Sequence, residues 1–469
     1  MRLAITRHSF LILFGLVLFC VAPCIAQDTI TAKVDDFIKS EMQKQRIPGV
    51  SLAVVKNGQI ILAKGYGLAN VEHQVAAKPE TIFQSGSVGK QFTATAVMML
   101  VEEGKINLDE KIGKYFGIVP ESWKNITVRN LLTHTAGMTD YPKDFDFRRD
   151  YTEDELLKQA GAIPLAFQPG EKWQYSNLAY VTLGILIHKV TGKFYGDFLQ
   201  ERIFKPLGMT TARIITEADI VPNRAAGYRR VKGELKNQEW VSPSLNTTAD
   251  GSLYLTVHDM AKWDAALYGE KLLKKKSLEQ MWTPVKLNSG KTSPYGFGWA
   301  FGEVNKHRVI EHGGAWQGFT SNITRYVDDK FTVIVLDNLS GGNATRIAHG
   351  VAAIYNPELF TPPLKAIEDK EPQVTAMVKE LLQRFAEGTV DPNLFTAEAK
   401  AVMFPDRAKS YSEYLQSLGA LSEIQLVERK EKNDFRVYRY RLIYKDSVLL
   451  FMINLTKEGK ISLVNTEPE

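Results

Sequence analysis

Apolar positions follow the helical period over some stretches of this chain and the strand period over others. Asp28 to Gln45 reads as a helix. Val50 to Val55 and Ile60 to Tyr66 read as a hairpin turned by Asn57-Gly58, a pair that tolerates the positive dihedrals of a tight turn. Gly86 to Gly104 is helical again, with Phe92, Ala96, Met99 and Leu100 on one face and Gly104 as its stop. Asn107 to about Tyr268 predicts helices and long loops. Within it, Thr256 to Asp259 forms a capping box that opens the helix of Met260 and Trp263. Strand patterns return at Tyr295 to Phe301, Arg308 to His312, Phe319 to Val327 and Phe331 to Leu336, and Asn343 to Tyr355 is helical. Strands at both ends of a helical middle predict an α+β fold: one antiparallel sheet closed by the two halves of the chain, beside a separate helical lobe. A groove between the two is the expected ligand site.

Pro357, Pro362, Pro363 and Pro372 mark residues 357–372 as a linker between a main domain, 27–356, and a tail, 373–469. In the tail, Val374, Met377, Leu381 and Phe385 share a helix face. Strand-like runs follow at Glu423 to Glu431, Phe435 to Tyr444 and Val448 to Leu455, which predicts a small α+β domain with its helices first. The first 26 residues read as a signal peptide: Arg2 and Arg7, an apolar run from Phe10 to Val21, and a small-residue cleavage site at Cys24-Ile25-Ala26. Phe19 and Pro23 precede the two cysteines where a lipidation signal wants a small residue, so export without a lipid anchor is expected, to the periplasm or the exterior. The apolar run is too short to span a bilayer, and no integral membrane span is expected.

Composition narrows the function further. Of 469 residues, 44% are hydrophobic and 24% charged, which is ordinary for globular protein and excludes collagen-like and disordered classes. The net charge of +5 includes Arg2 and Arg7, and no basic stretch exceeds Lys274-Lys275-Lys276, so there is no electrostatic footprint for nucleic acid. Both cysteines, Cys20 and Cys24, lie in the leader, which leaves the mature chain with no thiol nucleophile or disulfide. No histidines stand three or four apart, and neither a catalytic metal nor an organic cofactor is expected.

Three short motifs carry the candidate chemistry. In Ser87-Val88-Gly89-Lys90, a lysine one helical turn after a serine can reach its hydroxyl. It can act as base if burial lowers its pKa. The alternative is a helix-capping serine followed by a surface lysine. In Tyr175-Ser176-Asn177, the tyrosine can exchange a proton if a nearby ammonium lowers its pKa, and the asparagine can place an amide on a substrate. Alternatively Ser176 or Asn177 caps the helix that follows and Tyr175 is core. In His312-Gly313-Gly314-Ala315, at the end of a strand, the glycines let a substrate approach backbone N–H groups, and those of Ala315 and Ser87 can pair as an oxyanion hole. Lys291-Thr292-Ser293 competes for this third place but lacks the glycine. His134, in Thr-His-Thr, is expected to order a loop.

Taken in order, Ser-x-x-Lys, Tyr-x-Asn and His-Gly-Gly resemble the motifs of the serine β-lactamase and D-Ala-D-Ala carboxypeptidase superfamily. The Tyr-Ser-Asn form, Leu131 to Met138 and Gln168 to Glu171 narrow this to the class C β-lactamase-related branch, with its esterases and D-aminopeptidases. The resemblance covers roughly residues 30 to 355 and implies the β-lactamase/transpeptidase-like fold, an antiparallel sheet flanked by helices beside an all-helical lobe. It implies a serine hydrolase working through an acyl-enzyme, with Ser87 as nucleophile and Lys90 and Tyr175 sharing the base. Asn177, His312, Gly313, Gly314 and Ala315 would bind substrate and oxyanion. Class C β-lactamases carry Lys-Thr-Gly where this chain has His312-Gly313-Gly314, and a histidine lacks the permanent cation. The expected substrate is therefore a D-amino-acid-containing, peptidoglycan-like peptide or a small ester. A β-lactamase proper and a catalytically silent penicillin- or peptide-binding module are the alternatives.

Overall fold

The computed structural model describes residues 29–468 except 143, 216, 217, 232, 361–363, 433, 434 and 446; the leader expected over residues 1–26 lies outside them. The chain forms two compact units, one of the residues up to Arg230 with Leu235–Phe360, the other of Thr361–Glu469 with Val231–Glu234.

In the first unit, α1 (29–45) leads into β1 (Gly49–Lys56), β2 (Gln59–Asn70) and the short β3 (Val75–Ala76). The β1–β2 turn is made by Asn57 and Gly58, with φ of 52° and 74°. Four strands return late in the chain: β4 (Ala300–Val304), β5 (His307–Trp316), β6 (Phe319–Tyr326) and β7 (Phe331–Asp337). They join in the order β4-β5-β6-β7-β1-β2-β3, and β7 pairs antiparallel with β1, Ala53 opposite Ile334. An early and a late stretch of this unit thus close one sheet, as the strand pattern predicts.

Every β1 residue but Lys56 is buried, because helices cover both faces. Val50, Leu52 and Val54 pack with Val34 and Ile38 of α1 and with Ile347 and Val351 of α5 (Ala344–Tyr355). Ala53 and Val55 belong to the other core, with Phe92 and Met98 of α2 (Lys90–Glu102) and Trp263 of α4 (Val257–Ala266). The helical lobe is centred on α3 (Asn177–Thr191), which is buried almost throughout and packs against α2.

Three expectations need correction. The strand over Tyr295 to Phe301 begins only at Ala300, because Gly298 takes φ 75° and the loop turns against α2: a Cβ there would lie 3.0 Å from the Lys90 carbonyl carbon. The capping box at Thr256 is half made. Thr256 accepts from Asp259 N–H at 3.2 Å, but the Asp259 carboxylate accepts from Thr211 N–H instead. The strand over Arg308 to His312 runs on to Trp316, so His312-Gly313-Gly314 lies within β5 rather than at its end.

The second unit carries α6 (Pro372–Glu387), α7 (Ala397–Met403) and α8 (Asp406–Leu418), then a four-stranded antiparallel meander. Its strands are β8 (Leu421–Lys432), β9 (Phe435–Tyr444), β10 (Val448–Thr456) and β11 (Ile461–Pro468). Phe385 and Leu381 of α6 pack on Tyr438, Tyr440 and Phe451. The sequence pattern missed β11, whose apolar residues are few. No helix among the described residues is long and apolar enough to cross a membrane.

Candidate active site

Ser87 lies in a 3-10 turn, Gly86–Gly89, that runs directly into α2. Three close backbone approaches hold this turn. Gly86 has φ 51°, and a Cβ there would sit 2.5 Å from Ala315 N. A Cβ on Gly314 would sit 2.0 Å from Ser85 O, and one on Gly251 2.7 Å from the Gly86 carbonyl carbon. Ser321 Oγ also donates to Ser85 O at 2.5 Å. The serine turn and the His-Gly-Gly strand therefore lie backbone against backbone. Gly314 serves that contact with the protein's own chain as well as lining the groove. Gly313 is the open position, where a Cβ would meet nothing closer than Thr345 Oγ1 at 3.5 Å.

Lys90 is fully buried and reaches back one turn, its Nζ donating to Ser87 Oγ at 3.0 Å, Asn177 Oδ1 at 2.8 Å and Asp250 O at 2.5 Å. It also lies 4.9 Å from the Tyr175 ring centroid and 5.5 Å from that of Tyr180. Burial brings the ammonium down to about 8, against the opposing charges of Asp250 and Asp140. The capping-serine alternative fails at this position: Ser87 caps nothing, and its lysine is core.

Ser176 caps α3, accepting from Ala179 N–H at 3.2 Å, which sets Tyr175 and Asn177 on either side of the cap. Asn177 is committed at both ends of its amide. Oδ1 accepts from Lys90, and Nδ2 donates to Asp140 Oδ2 at 2.8 Å. In this structure it holds the lysine in place rather than awaiting a substrate amide. The Tyr175 hydroxyl is buried without a well-formed hydrogen bond, although the Ser87 hydroxyl is near enough to favour its anion slightly. Burial dominates and pushes its pKa up, opposite to the lowering expected from the nearby ammonium, so Tyr175 stays a neutral O–H.

A groove of about 380 Å³ opens over these groups, lined by Ser87, Tyr175, His312, Gly313, Gly314, Ala315, Thr320, Ser321, Gly342, Asn343, Ala344 and Thr345. Six of the eight residues expected to act together thus line one hollow; the other two lie behind it, Lys90 donating to Ser87 and Asn177 accepting from Lys90. None of the lining side chains is cationic: His312 is nearly buried, and burial takes it down to about 4. Thr292 and Ser293 of the competing motif form a small hairpin with Val285 and Lys286, outside the groove.

Sequence reasoning missed four contributors. Asp140 fastens Asn177, the Asp250 carbonyl anchors Lys90, Gly251 makes room for the serine turn, and Tyr295 bonds His312. Only Gly251 carried a local signal, as a glycine next to Asp250 ahead of a buried strand. The others depend on long-range proximity.

The Beta-lactamase family model matches residues 34–354. Curated relatives include a penicillin-binding protein of Bacillus subtilis (strain 168), 30% identical over 314 residues, 63% of this chain and 69% of that protein. The putative penicillin-binding protein PbpX of the same strain is 33% identical over 259 residues, 55% of this chain and 63% of its own length. Among solved structures, the octameric penicillin-binding protein homologue of Pyrococcus abyssi superposes with a TM-score of 0.64 and 26% identity, covering 94% of this chain and 98% of that one. The D-amino acid amidase of Ochrobactrum anthropi SV3 gives 0.61 and 25%, over 71% and 98%. With a family match over more than half its length, the chain belongs to the Beta-lactamase family of serine hydrolases.

Proposed function

We propose that this protein hydrolyses an amide or ester through an acyl-enzyme on Ser87. The observation that carries the reading is the 3.0 Å contact between Ser87 Oγ and a fully buried Lys90 amine whose pKa burial has lowered to about 8. Lys90 takes the hydroxyl proton as Ser87 Oγ bonds to the substrate carbonyl carbon. The backbone N–H groups of Ser87 and Ala315 receive the oxyanion. The tetrahedral intermediate then expels the leaving group, which takes its proton from the neutral Tyr175 hydroxyl, and Lys90 returns a proton to Tyr175. Water repeats the attack and releases the acid. This divides the work that the sequence assigned jointly to Lys90 and Tyr175: the lysine is the base, the tyrosine the acid.

For the substrate we favour a D-amino-acid amide or D-peptide, or a small ester, over a β-lactam. The amidase among its structural neighbours and the absence of a cation from the groove lining support this. The leader pattern in residues 1–26 supports export. Turnover of D- and L-phenylalanine amide, a nitrophenyl ester and benzylpenicillin tests the ranking. Faster turnover of the D-amide or the ester, lost in Ser87→Ala, is expected. Preferential hydrolysis of the penicillin would overturn it.

A further inference from the structure

Behind the groove runs a chain of hydrogen bonds in which every ring nitrogen is assigned by its neighbours. His312 Nδ1 lies 2.6 Å from Gly313 O, an acceptor only, so Nδ1 carries the proton. His312 Nε2 must then accept, and it does so from Tyr295 Oη at 2.8 Å. Having donated there, Tyr295 Oη accepts from His134 Nε2 at 3.2 Å. His134 Nδ1 closes the chain by accepting the Ser176 N–H at 3.2 Å. Only the neutral form of each histidine satisfies all four bonds, since an imidazolium has no acceptor to offer.

The chain is built into the fold rather than resting on it. His134 is 1% exposed and holds a left-handed backbone with φ 57°, a strained state for a residue with a side chain. Its ring lies 4.2 Å, centroid to centroid, from that of Tyr175. The Ser176 N–H it accepts comes from the residue between Tyr175 and Asn177. At the other end, the Gly313 carbonyl belongs to the strand that braces the Ser87 turn.

We propose that Tyr295, with His134 behind it, is a positioning residue that locks His312 as the neutral Nδ1–H imidazole. Through that lock it fixes the edge of β5 that carries Gly314 and Ala315. His312 then offers no N–H to a substrate, and its role in the groove is structural. The charged and titratable groups facing the chain are Lys90 of α2, Glu311 next to His312 on β5, and Tyr175 and Tyr180 on the segment opening α3. Burial and the Lys90 charge both disfavour a second cation here. The kinetic part of the test rests on the reading of Lys90 as base; the spectroscopic part does not.

Ring nitrogen-15 NMR at pH 6 on the full-length protein should show His312 protonated at Nδ1 and His134 at Nε2, both uncharged. The opposite His312 tautomer or an imidazolium would overturn the proposal. That measurement stands alone if Tyr295→Phe does not fold. In a folded Tyr295→Phe, which deprives Nε2 of its donor, the His312 midpoint should rise by a unit or more. Below about pH 5 the dependence of log kcat/KM on pH should steepen from a slope of one toward two, because His312, raised from about 4, then titrates alongside Lys90. An unchanged midpoint and slope, with only a lowered Tm, would reduce Tyr295 to a packing role. A wild-type profile with no limb near pH 8 would instead count against Lys90 as base and leave the tautomer result untouched.

Discussion

In the proposed mechanism Lys90 serves as base because the fold denies its ammonium water while giving it only neutral acceptors: a hydroxyl, an amide oxygen and a backbone carbonyl. As the neutral amine is the active form, acylation should rise tenfold per pH unit below about 8 and level off above it, in kcat/KM against pH. Lys90→Ala should lower kcat by about 10²–10⁴. KM should change little, since Lys90 is not among the residues lining the groove. In the same mechanism Tyr175 acts later, as a proton donor. Tyr175→Phe should therefore slow amides by about 10²–10⁴ but spare a nitrophenyl ester, whose leaving group departs as the anion. Equal losses on both substrates would move Tyr175 into the attack step.

At the scale of elements, the site depends on how closely the 3-10 turn and β5 meet. Gly314→Ala would drive its Cβ into the Ser85 carbonyl and part the backbone that carries the Ser87 and Ala315 N–H groups. A fall in kcat of about 10²–10³ is expected, the scale of a lost oxyanion donor. The control is Gly313→Ala, whose Cβ would make only an ordinary contact with Thr345 Oγ1 at 3.5 Å; it should keep a wild-type Tm while changing substrate preference. The two glycines are adjacent letters, and nothing in the sequence distinguishes them. This marks what was legible. Periodicity located β1, β6, β7, α2 and α5, which are buried along their length or one face, and β2 through the Asn57-Gly58 turn that leads into it. It misplaced the start of β4, where the positive φ of Gly298 interrupts the strand pattern, and it stopped β5 early because Gly313 and Gly314 resemble a turn. Ser87 to Lys90 and Tyr175 to Asn177 were visible because each pair is local. Asp140, Asp250 and Tyr295 were not, since they meet Asn177, Lys90 and His312 across 37, 160 and 17 residues of chain.

Across the whole molecule, two buried groups pull stability in opposite directions with pH. Burial lowers His312 to about 4 from 6.5, so the unfolded chain takes up a proton that the folded one refuses. The stability its neutral form contributes is present above pH 6.5 and lost as the pH falls toward 4. Asp337, fully buried beneath Thr320 and Gly342, is raised to about 7 from 3.8. The folded chain keeps a proton that the unfolded one releases, so this contribution is present below 3.8 and lost as the pH rises toward 7. Each shift corresponds to about 3–4 kcal/mol, and between pH 4 and 6.5 they offset one another. Asp337→Asn removes one side of the balance. Thermal melts of this variant should show Tm falling more steeply than wild type from pH 6.5 to 4; a parallel pair of curves would show that Asp337 ionises normally in the fold.

The most direct measurement of whether Ser87 is the nucleophile is intact-mass spectrometry with peptide mapping after exposure to a fluorophosphonate and, separately, to benzylpenicillin. One adduct per wild-type chain on the peptide containing Ser87 is expected with the fluorophosphonate, formed more slowly in Lys90→Ala and absent from Ser87→Ala. With penicillin, a persistent adduct on the same peptide would identify a penicillin-binding hydrolase rather than a β-lactamase. Labelling that maps to another residue, or that survives unchanged in Ser87→Ala, would contradict the assignment of Ser87 and the mechanism built on it.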